Sequence, residues 1–400
     1  MNLRSSLMVS LLMLLPLIWQ ERLFPQAMEI EGQASGWTTV MTEDPCFTQF
    51  GLRYIPNLHI SKRLSGVYFI DAALAANMRG TGLVYDLHDI DTEGRTEPYR
   101  LWLRLSGKQF EARLGLQKIN FGSATLLRPL MWFDRLDPRD PLQLTDGVYG
   151  VLLRYYFLNN ANIWLWGLYG NDETKGWEVL PPDEETPEYG GRVQFPLANG
   201  EIAFTYHHRT IDLIKGLEAL LSIIDLPVIP GLGPTPIVIN PTAPEKRFGC
   251  DAKLDIEIGL WFEAALIHQD IDFFSMPEYK RFINVGGDYT FGLENGLNVL
   301  AEHLITEISQ EAFGSGERFQ LSALSVNYPL GLIDTVTGIL YYDWENEGWY
   351  RFLNYQRTYD AWRFHLIGFW NPEQYQLYQG QSDGNTFTGK GIQAMVTFNH

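Results

Sequence analysis

Residues 99–106 read YRLWLRLS, and from position 101 onwards every second residue of this run is leucine. The positions between the leucines carry Arg100, Trp102 and Arg104. Because successive side chains of a β-strand point to opposite faces, one face of this strand would be apolar and the other would carry the arginines. A water-soluble sandwich must cover such an apolar face with a second sheet. In a membrane barrel the bilayer covers it, so the pattern favours a strand that faces lipid.

The same alternation recurs elsewhere in the chain, for example in residues 201–209, 247–256 and 392–398. The polar face of the second of these runs carries Arg247, Asp251, Lys253 and Asp255. Charged side chains on many strands would each need a partner in a sandwich core, but they need none on a face that lines water. The pattern therefore predicts a barrel with a water-filled lumen rather than a packed sandwich.

Tight turns and longer polar segments alternate along the chain. The turns lie near 107–108, 159–160, 198–200, 257, 294–296, 327–331 and 358–360. The longer segments are 171–188, 269–278, 307–316 and 371–389. Such a rhythm is typical of bacterial outer-membrane barrels, which have short periplasmic turns and long external loops. The sequence predicts an all-β fold over residues 28–400: a single transmembrane antiparallel β-barrel of about eighteen strands, with sixteen as the alternative.

The composition excludes several other classes of protein. The chain has 400 residues, of which 46% are hydrophobic, and its mean hydropathy is −0.13, so it is neither disordered nor a helical membrane protein. Its net charge of −18 argues against nucleic acid as a partner. Acidic residues crowd two predicted loops, and we interpret them as solvated surface or as a vestibule that attracts cations: Asp86, Asp89, Asp91, Glu93, Asp183, Glu184, Glu185 and Glu188.

The N-terminus has the pattern of an export signal. Arg4 supplies the positive charge, residues 8–19 supply the apolar segment, and Ala27 is a small residue before the predicted cleavage point. We therefore predict a signal peptide over residues 1–27. The two cysteines, Cys46 and Cys250, are far apart in sequence, and their pairing stays open. A lipid-facing thiol at Cys250 fits the alternation better than a disulfide does.

Aromatic residues cluster near the predicted strand ends. The clusters are Tyr155-Tyr156-Phe157, Tyr341-Tyr342 with Trp344, Trp349-Tyr350 and Phe369-Trp370. Amphipathic aromatic rings settle at the level of lipid headgroups, so we predict an interfacial girdle. Stacking on carbohydrate inside a pore is the alternative.

One stretch that breaks the rhythm is 115–146. It is too long and too rich in Arg and Asp for a plain external loop, and long loops often carry specificity. Its alternating charges are Arg128, Asp134, Arg135, Asp137, Arg139 and Asp140. We expect the three aspartates to pair with the three arginines and to rigidify the loop.

The same stretch resembles a pattern found in Gram-negative outer-membrane porins and in polysaccharide-export (alginate-export-like) barrels. In that pattern a Gly-x-Gln-x-aliphatic-Asn-aromatic-Gly strand end precedes a loop with Asp-Pro-x-Asp. The matching positions are Gly115, Gln117, Ile119, Asn120, Phe121, Gly122, Asp137, Pro138 and Asp140. The resemblance implies a passive pore with an infolded, constricting loop near 122–146. It places Arg128, Arg135, Arg139 and their aspartates near the narrowest part, although a purely structural loop latch is equally compatible with the pattern.

The second exception to the rhythm is 211–246. Its apolar residues fall at helical spacing and are followed by a proline-rich segment, so we predict a helix-containing loop. The helical positions are Ile211, Ile214, Leu217, Leu220, Leu221 and Ile224. This helix would pack on or inside the barrel mouth, or it would be an exposed docking element for a partner protein or lipid.

Motifs for catalysis are missing from the sequence. It contains no Gly-x-Ser-x-Gly, no His-Glu-x-x-His, no Walker loop and no dinucleotide-binding glycine pattern. His207 and His208 are adjacent, so a strand would send them to opposite faces and they could not bind one metal together. We expect neither an enzyme nor a cofactor or metal site.

The sequence as a whole predicts a porin-like channel in the outer membrane of a Gram-negative bacterium. It would contact outer-membrane lipid and pass a small hydrophilic solute by passive diffusion or export. A basic row on neighbouring strands would attract an anionic solute, whereas the acidic loops argue the other way, so the ion preference stays open. A non-transporting structural or assembly barrel is the alternative, and a homo-oligomer or a partner protein at the external loops stays open. The predicted lumen charges are Arg100, Arg104, Glu111, Arg113, Arg154, Arg192, Arg209, Asp251, Lys253 and Asp255.

Overall fold

A computed structural model describes residues 27–42, 46–86, 89–223, 241–271, 277–372 and 387–400. The predicted signal peptide lies outside the described residues except for Ala27, which begins the first strand. Ile224, the last of the predicted helical positions, also lies outside them.

The described residues form one sheet of eighteen strands. The strands are β1 (Ala27–Met41), β2 (Thr48–Ser65), β3 (Tyr68–Asp86), β4 (Asp89–Ser106), β5 (Phe110–Gln117), β6 (Val148–Tyr156), β7 (Asn162–Leu168), β8 (Glu188–Leu197), β9 (Gly200–Asp212), β10 (Thr242–Asp255), β11 (Gly259–Gln269), β12 (Tyr279–Phe291), β13 (Leu297–Ser309), β14 (Glu317–Pro329), β15 (Asp334–Asp343), β16 (Gly348–Tyr359), β17 (Trp362–Trp370) and β18 (Lys390–Asn399).

Each strand pairs antiparallel with the next one along the chain, and β1 also pairs with β18 from Gln33↔Asn399 to Met41↔Gly391. The sheet is therefore a closed barrel without an edge strand, so the backbone N–H and C=O groups of its paired residues find their partners on neighbouring strands. The predicted all-β antiparallel barrel of eighteen strands is confirmed, and the sixteen-strand alternative is wrong. One helix, α1 (Leu213–Ile223), follows β9. No helix among the described residues is long and apolar enough to cross a membrane.

The two ends of the barrel differ in their connections. At one end, the turn end, neighbouring strands are joined by short segments such as 107–109, 198–199 and 256–258. At the other end, the loop end, the segments 118–147, 169–187 and 213–241 are much longer. The predicted acidic loop that begins at Asp86 is corrected by the structure, because β3 runs to Asp86 and β4 starts at Asp89. Asp91 and Glu93 therefore lie on a long strand and not in a loop.

The outer face of the barrel is apolar. Phe204, Phe248 and Phe262 lie on neighbouring strands and are 49%, 50% and 39% exposed, while the residues between them along each strand are buried. Apolar side chains exposed in a continuous band are stable only against lipid. Among the predicted girdle residues, Trp344, Trp349 and Trp370 are exposed on this surface. The rest of the late aromatic clusters corrects the prediction, because Tyr341, Tyr350 and Phe369 are buried on the inner side.

Candidate functional site

Residues 118–147, which join β5 to β6 and are called the constriction loop here, fold into the barrel. Six of their apolar side chains are almost completely buried: Leu126, Leu127, Leu130, Met131, Trp132 and Phe133. They pack in one cluster with inward-facing wall residues that include Leu152, Ala265, Phe282, Leu304, Ile339 and Ile367. An apolar core therefore fills part of the barrel, next to the water-lined wall that the sequence predicts. Burial of each such side chain stabilises the inward position of the loop by about 1.5–3 kcal/mol.

A wall carboxylate fixes the tip of the constriction loop. Glu302, on β13, accepts hydrogen bonds from the backbone N–H groups of Thr125, Leu126 and Leu127 at 2.6, 3.1 and 2.5 Å. It also accepts one from the indole Nε1 of Trp261 at 3.1 Å. The Glu302 residue is 3% exposed. Hydrogen bonds to a charged acceptor are stronger than neutral ones, so this carboxylate is a latch for the loop.

A second wall carboxylate, two strands away from Glu302, also binds the constriction loop. Glu263, on β11, accepts hydrogen bonds from the backbone N–H groups of Ala124 at 2.7 Å and Leu130 at 3.4 Å. The side-chain amide of Asn284 on β12 donates to the carbonyl of Leu127. The sequence analysis missed both glutamates. The sequence signal that could have identified them is a single acidic residue on the inward face of a mainly apolar strand, as in GLWFEAALIHQ around Glu263.

The predicted ion pairs within the constriction loop are mostly wrong. Arg139 and Asp137 do pair, at 2.8 Å between Nη2 and Oδ2. Arg135 pairs instead with Asp146 and with Glu173, the latter at 2.7 Å from a different loop. Spacing within the segment does not decide the pairing, because Arg128 and Arg135 bind acceptors other than the three aspartates.

The remaining charged residues of the loop bind its backbone or amides. Arg128 donates to the side chain of Asn120 and to the carbonyl of Phe121. Asp134 accepts hydrogen bonds from the backbone N–H groups of Arg135 and Asp146 at 2.9 and 2.8 Å, and burial raises the pKa of its carboxyl. These residues shape the loop from within.

Asp140 occupies a different position in the same loop. It accepts a hydrogen bond from the backbone N–H of Leu142 at 2.9 Å, and burial raises the pKa of its carboxyl. Unlike Asp134, it lines the cavity described below.

Residues 169–187, which join β7 to β8 and are called the second loop here, fold against the constriction loop. Lys175 Nζ lies 2.8 Å from the carboxylate of Asp146 and 3.0 Å from that of Glu173. Farther along the loop, Glu178 pairs with two wall arginines, Arg209 at 2.9 Å and Arg247 at 2.6 Å. The two loops are therefore tied to each other and to the wall by ion pairs.

This loop network predicts a dependence on acid. Burial alone would raise the pKa of Asp146 and Glu173, but Lys175 and Arg135 hold both below their ordinary values of 3.8 and 4.5. Carboxylates with lowered pKa stabilise the folded loops above those ordinary values, and the stabilisation is lost as the pH falls through the lowered ones. We expect quiet conductance from about pH 7 to about pH 5 and increasing fluctuations below about pH 4 in planar bilayers. The conductance of the Lys175→Gln variant should fluctuate already at neutral pH. Identical current traces of the parent protein at about pH 7 and below about pH 4 would contradict the prediction.

Three of the predicted lumen charges face inward but lie beneath the two loops. Arg192 and Asp251 form a bidentate pair at 2.5 and 2.9 Å, and both are almost completely buried. Arg209 pairs with Glu245 at 2.5 Å in the same buried region. Charges buried in this way need their partners, so these residues support the wall and do not contact an open lumen.

Three other predicted arginines, Arg104, Arg113 and Arg154, form what we call the arginine cluster on β4, β5 and β6. They surround one carboxylate, Glu111, at 3.7, 3.0 and 3.6 Å. Arg104 also lies 3.0 Å from Asp71 on β3. Three guanidinium groups thus share two carboxylates, and the cluster carries a net charge of one positive unit (3 − 2 = 1).

Aromatic rings hold the arginine cluster in place. The guanidinium carbon of Arg154 lies 3.8 Å from the ring centre of Trp164, and that of Arg113 lies 4.7 Å from the ring centre of Trp102. Such stacking orders a guanidinium without neutralising it. The Nε atoms of Arg113 and Arg154 have no hydrogen-bond partner among the residues that the structure describes. Both Nε atoms are buried, so the cluster acts on the lumen through its net charge.

Lys253 and Asp255 lie where β10 reaches the turn end. Their side chains are 40% and 63% exposed and 3.4 Å apart. They belong to the mouth of the barrel and not to its narrow part.

A cavity of about 260 Å³ remains between the constriction loop and the wall formed by β1 to β4. Its lining includes the rings of Trp37, Tyr99 and Phe387. The charged side chains in the lining are Arg53, Arg100, Arg135, Lys175, Glu97, Asp140, Asp146, Asp172 and Glu173. Arg100 donates to the carbonyl of Thr145 at 2.9 Å and to its hydroxyl at 2.6 Å, which holds the end of the constriction loop against β4. The register of β3 and β4 shifts by one residue at Tyr99, and such a bulge redirects side chains locally.

A row of arginines crosses three neighbouring strands beside this cavity. Arg95, Arg79 and Arg53 are direct cross-strand neighbours on β4, β3 and β2. Like charges directly opposite one another destabilise a sheet. This cost is offset in part, because Arg95 pairs with Glu97 and the guanidinium carbon of Arg53 lies 5.5 Å from the ring centre of Trp37. Its last member, Arg53, lines the cavity.

The described residues contain no group of three or more His, Cys, Asp and Glu side chains that could hold a metal ion. Cys46 and Cys250 are both free thiols.

A closed antiparallel barrel of even strand number, with an apolar outer band and a loop folded into its lumen, is the fold of Gram-negative outer-membrane porins. Barrels of this fold span the outer membrane and have their longer loops outside the cell. No protein-family model matches the sequence, and no curated protein matches it either.

Solved structures share the fold. OccAB4 of Acinetobacter baumannii has a TM-score of 0.54 at 7% identity, over 94% of this chain and 98% of that one. OccK5 (OpdH) of Pseudomonas aeruginosa has a TM-score of 0.53 at 10% identity, over 94% and 98%. OmpT, an outer membrane protein of Vibrio cholerae in its trimer form, has a TM-score of 0.50 at 11% identity, over 94% and 99%. At these identities the likeness shows the fold alone.

Proposed function

We propose that this chain is a passive outer-membrane channel for small hydrophilic solutes and that it prefers anions. The observation that carries the proposal is the arrangement of the inner wall: an arginine row ends at a cavity of about 260 Å³, and the arginine cluster lies on the same wall toward the turn end. We expect no catalytic activity from it.

The size of the cavity supports passage of single small solutes. Pockets for drug-sized ligands usually measure about 300–1,000 Å³, so a cavity of about 260 Å³ suits a molecule at or below that size. Polysaccharide export, which the sequence resemblance also implies, would need a wider lumen along its whole length. The two infolded loops favour the small solute over the polymer.

The charges on the inner wall support the anion preference. The arginine cluster is net positive, since three guanidinium groups share two carboxylates. A row of like charges in a pore attracts counter-ions and lowers the barrier for an anion relative to a cation. Acidic residues act in the opposite direction, both in the outer loops and in the cavity, where five carboxylates lie beside four cationic side chains. We therefore expect a moderate preference and not an exclusive one.

Reconstitution in planar bilayers tests the channel itself. The folded chain should give stepwise conductance, and a gradient of potassium chloride should give a reversal potential of the sign expected for chloride. Folded protein without any conductance steps would overturn the channel and favour the structural barrel, which would present its loops to a partner. Conductance with cation preference would overturn only the anion preference.

The arginine cluster gives a sharper prediction of selectivity. Arg113→Gln combined with Arg154→Gln should abolish the anion preference or turn it into a cation preference, because Glu111 and Asp71 then outweigh Arg104. The matched control is Arg113→Lys combined with Arg154→Lys, which keeps both charges and should keep the sign of the reversal potential. Equal reversal potentials in the Gln and Lys variants would show that the cluster does not set selectivity.

A further inference from the structure

One part of β4 has a neighbouring strand on one side only. β4 pairs with β3 from Asp89 to Ser106, but it pairs with β5 only from Leu101 to Ser106. No described residue forms a backbone hydrogen bond with residues 90–98 on that other side. We call residues 90–98 the open edge. A row of unpaired N–H and C=O groups is a template to which another extended chain can add.

A proline shows which backbone groups of the open edge are free. Pro98 is the cross-strand neighbour of Ala76 on β3, and it has no N–H to donate. Proline is tolerated in a sheet where its nitrogen faces away from the partner strand. The pairing runs without a shift from Pro98 to Ile90, so the backbone groups of every second residue face the open side. Besides Pro98, these residues are Ile90, Thr92, Gly94 and Thr96.

The open edge projects beyond the paired part of β4 at the loop end. Residues 90–96 are all exposed, on both faces of the ribbon that β3 and β4 form. The loop end lies outside the cell in barrels of this fold. A strand that arrives from the external medium can therefore reach this edge without crossing the membrane or entering the lumen.

The open edge is acidic. Residues 89–98 include four acidic residues and one arginine, which gives a net charge of −3. Arg95 pairs with Glu97, whereas Asp91 and Glu93 form no ion pair with another described residue. Asp91 and Glu93 are two residues apart and project from the same face of the strand. An added strand with lysine or arginine at every second position would place its cations beside these carboxylates.

The same charges argue against a second copy of this chain as the occupant. Two copies in one membrane have the same orientation, so their open edges would bring acidic side chains against acidic side chains. Charged residues and proline on an exposed edge are the usual protection against such self-pairing. This protection acts against an acidic strand and favours a cationic one.

We propose that the open edge of β4 binds an extended cationic segment of another protein or peptide outside the cell, by adding it to the sheet as a further strand. Backbone hydrogen bonds to Thr92, Gly94 and Thr96 supply the affinity, and Asp91 and Glu93 select for lysine or arginine. The proposal concerns the outside of the barrel and does not depend on what the lumen conducts.

Titration of the folded full-length protein in detergent with a labelled peptide tests this site. The peptide has about eight residues, in which lysine and valine alternate. The parent protein should bind it, whereas the same peptide methylated at all of its backbone nitrogens should not bind, because it has no N–H to donate. Binding should also slow hydrogen exchange at the amides of Thr92, Gly94 and Thr96, which face solvent in the free protein.

Variants of the open edge separate backbone pairing from charge. Thr92→Pro combined with Thr96→Pro removes two outward N–H groups and should weaken peptide binding at least about tenfold. Asp91→Asn combined with Glu93→Gln keeps the backbone and should weaken binding about fivefold at low salt, and less at high salt. The matched control is Glu317→Gln, at the exposed start of β14, which should leave the affinity unchanged.

Three results would overturn the proposal. Equal binding of the fully methylated peptide would show that charge alone attracts it. Equal binding of a peptide with glutamate in place of lysine would show that the carboxylates do not select the partner. Absence of binding to the parent would show that the edge charges only prevent self-pairing. Cooperative unfolding of each variant in urea confirms that it is folded, so the outcome of this test is independent of whether the channel conducts.

Discussion

Replacement of residues 120–145 with a short Gly-Ser linker should raise the single-channel conductance severalfold. The constriction loop and its apolar core occupy the part of the lumen between the β11–β17 wall and the remaining cavity. An eighteen-stranded barrel without such a loop encloses an aqueous channel. The linker can close because Gln117 and Val148, at the ends of β5 and β6, are cross-strand neighbours. Conductance steps in planar bilayers measure the change directly.

This deletion has a stability cost that must be separated from the pore effect. Wall residues such as Ile339, Ile367 and Phe369 lose their apolar contacts and face water, so the variant should unfold at lower urea concentration than the parent. Deletion of residues 311–315, in a loop that lies outside this core, is the matched control and should leave conductance unchanged. A folded constriction-loop variant with the parent's conductance would show that the loop does not narrow the pore.

The strands could be predicted from sequence because each obeys a local rule. The alternation at Arg100, Trp102 and Arg104 depends only on the pleat of one strand and on which solvent lies on each side. Closure, strand count and the position of the turns follow from the same rule. The ends of the long strands were harder, since the β3–β4 ribbon around Asp91 is exposed on both faces and carries no apolar signal.

The site could be predicted only in part. The segment 115–146 was recognisable as exceptional, because its length and charge do not fit a plain loop. Its partners were not, because they depend on contacts across more than a hundred residues, such as those between Leu127 and Glu302. The pairing of Arg135 with Asp146 and Glu173 likewise requires the second loop, whose position no pattern in the sequence specifies.

Glu302→Gln should detach the tip of the constriction loop. The carboxylate accepts five hydrogen bonds, from Thr125, Leu126, Leu127, Trp261 and Asn284. An amide keeps one acceptor oxygen and turns an NH₂ group toward buried N–H donors, so at least two donors lose their partner. Each unsatisfied buried donor costs about 1–3 kcal/mol, and we expect the free energy of unfolding in urea to fall by about 2–5 kcal/mol. Conductance should become larger on average and noisier.

A comparison in the variant without the constriction loop tests whether Glu302→Gln changes conductance by releasing that loop. In the variant that lacks residues 120–145, Glu302 has no tip to hold, so Glu302→Gln should change conductance no further, as expected for two changes that act on one contact. Glu317→Gln, at the exposed start of β14, is the matched control and should be silent in both backgrounds. An equal increase in conductance with and without the loop would place the action of Glu302 in the wall. A dependence on the loop would instead identify the buried carboxylate as the residue that sets the width of the pore.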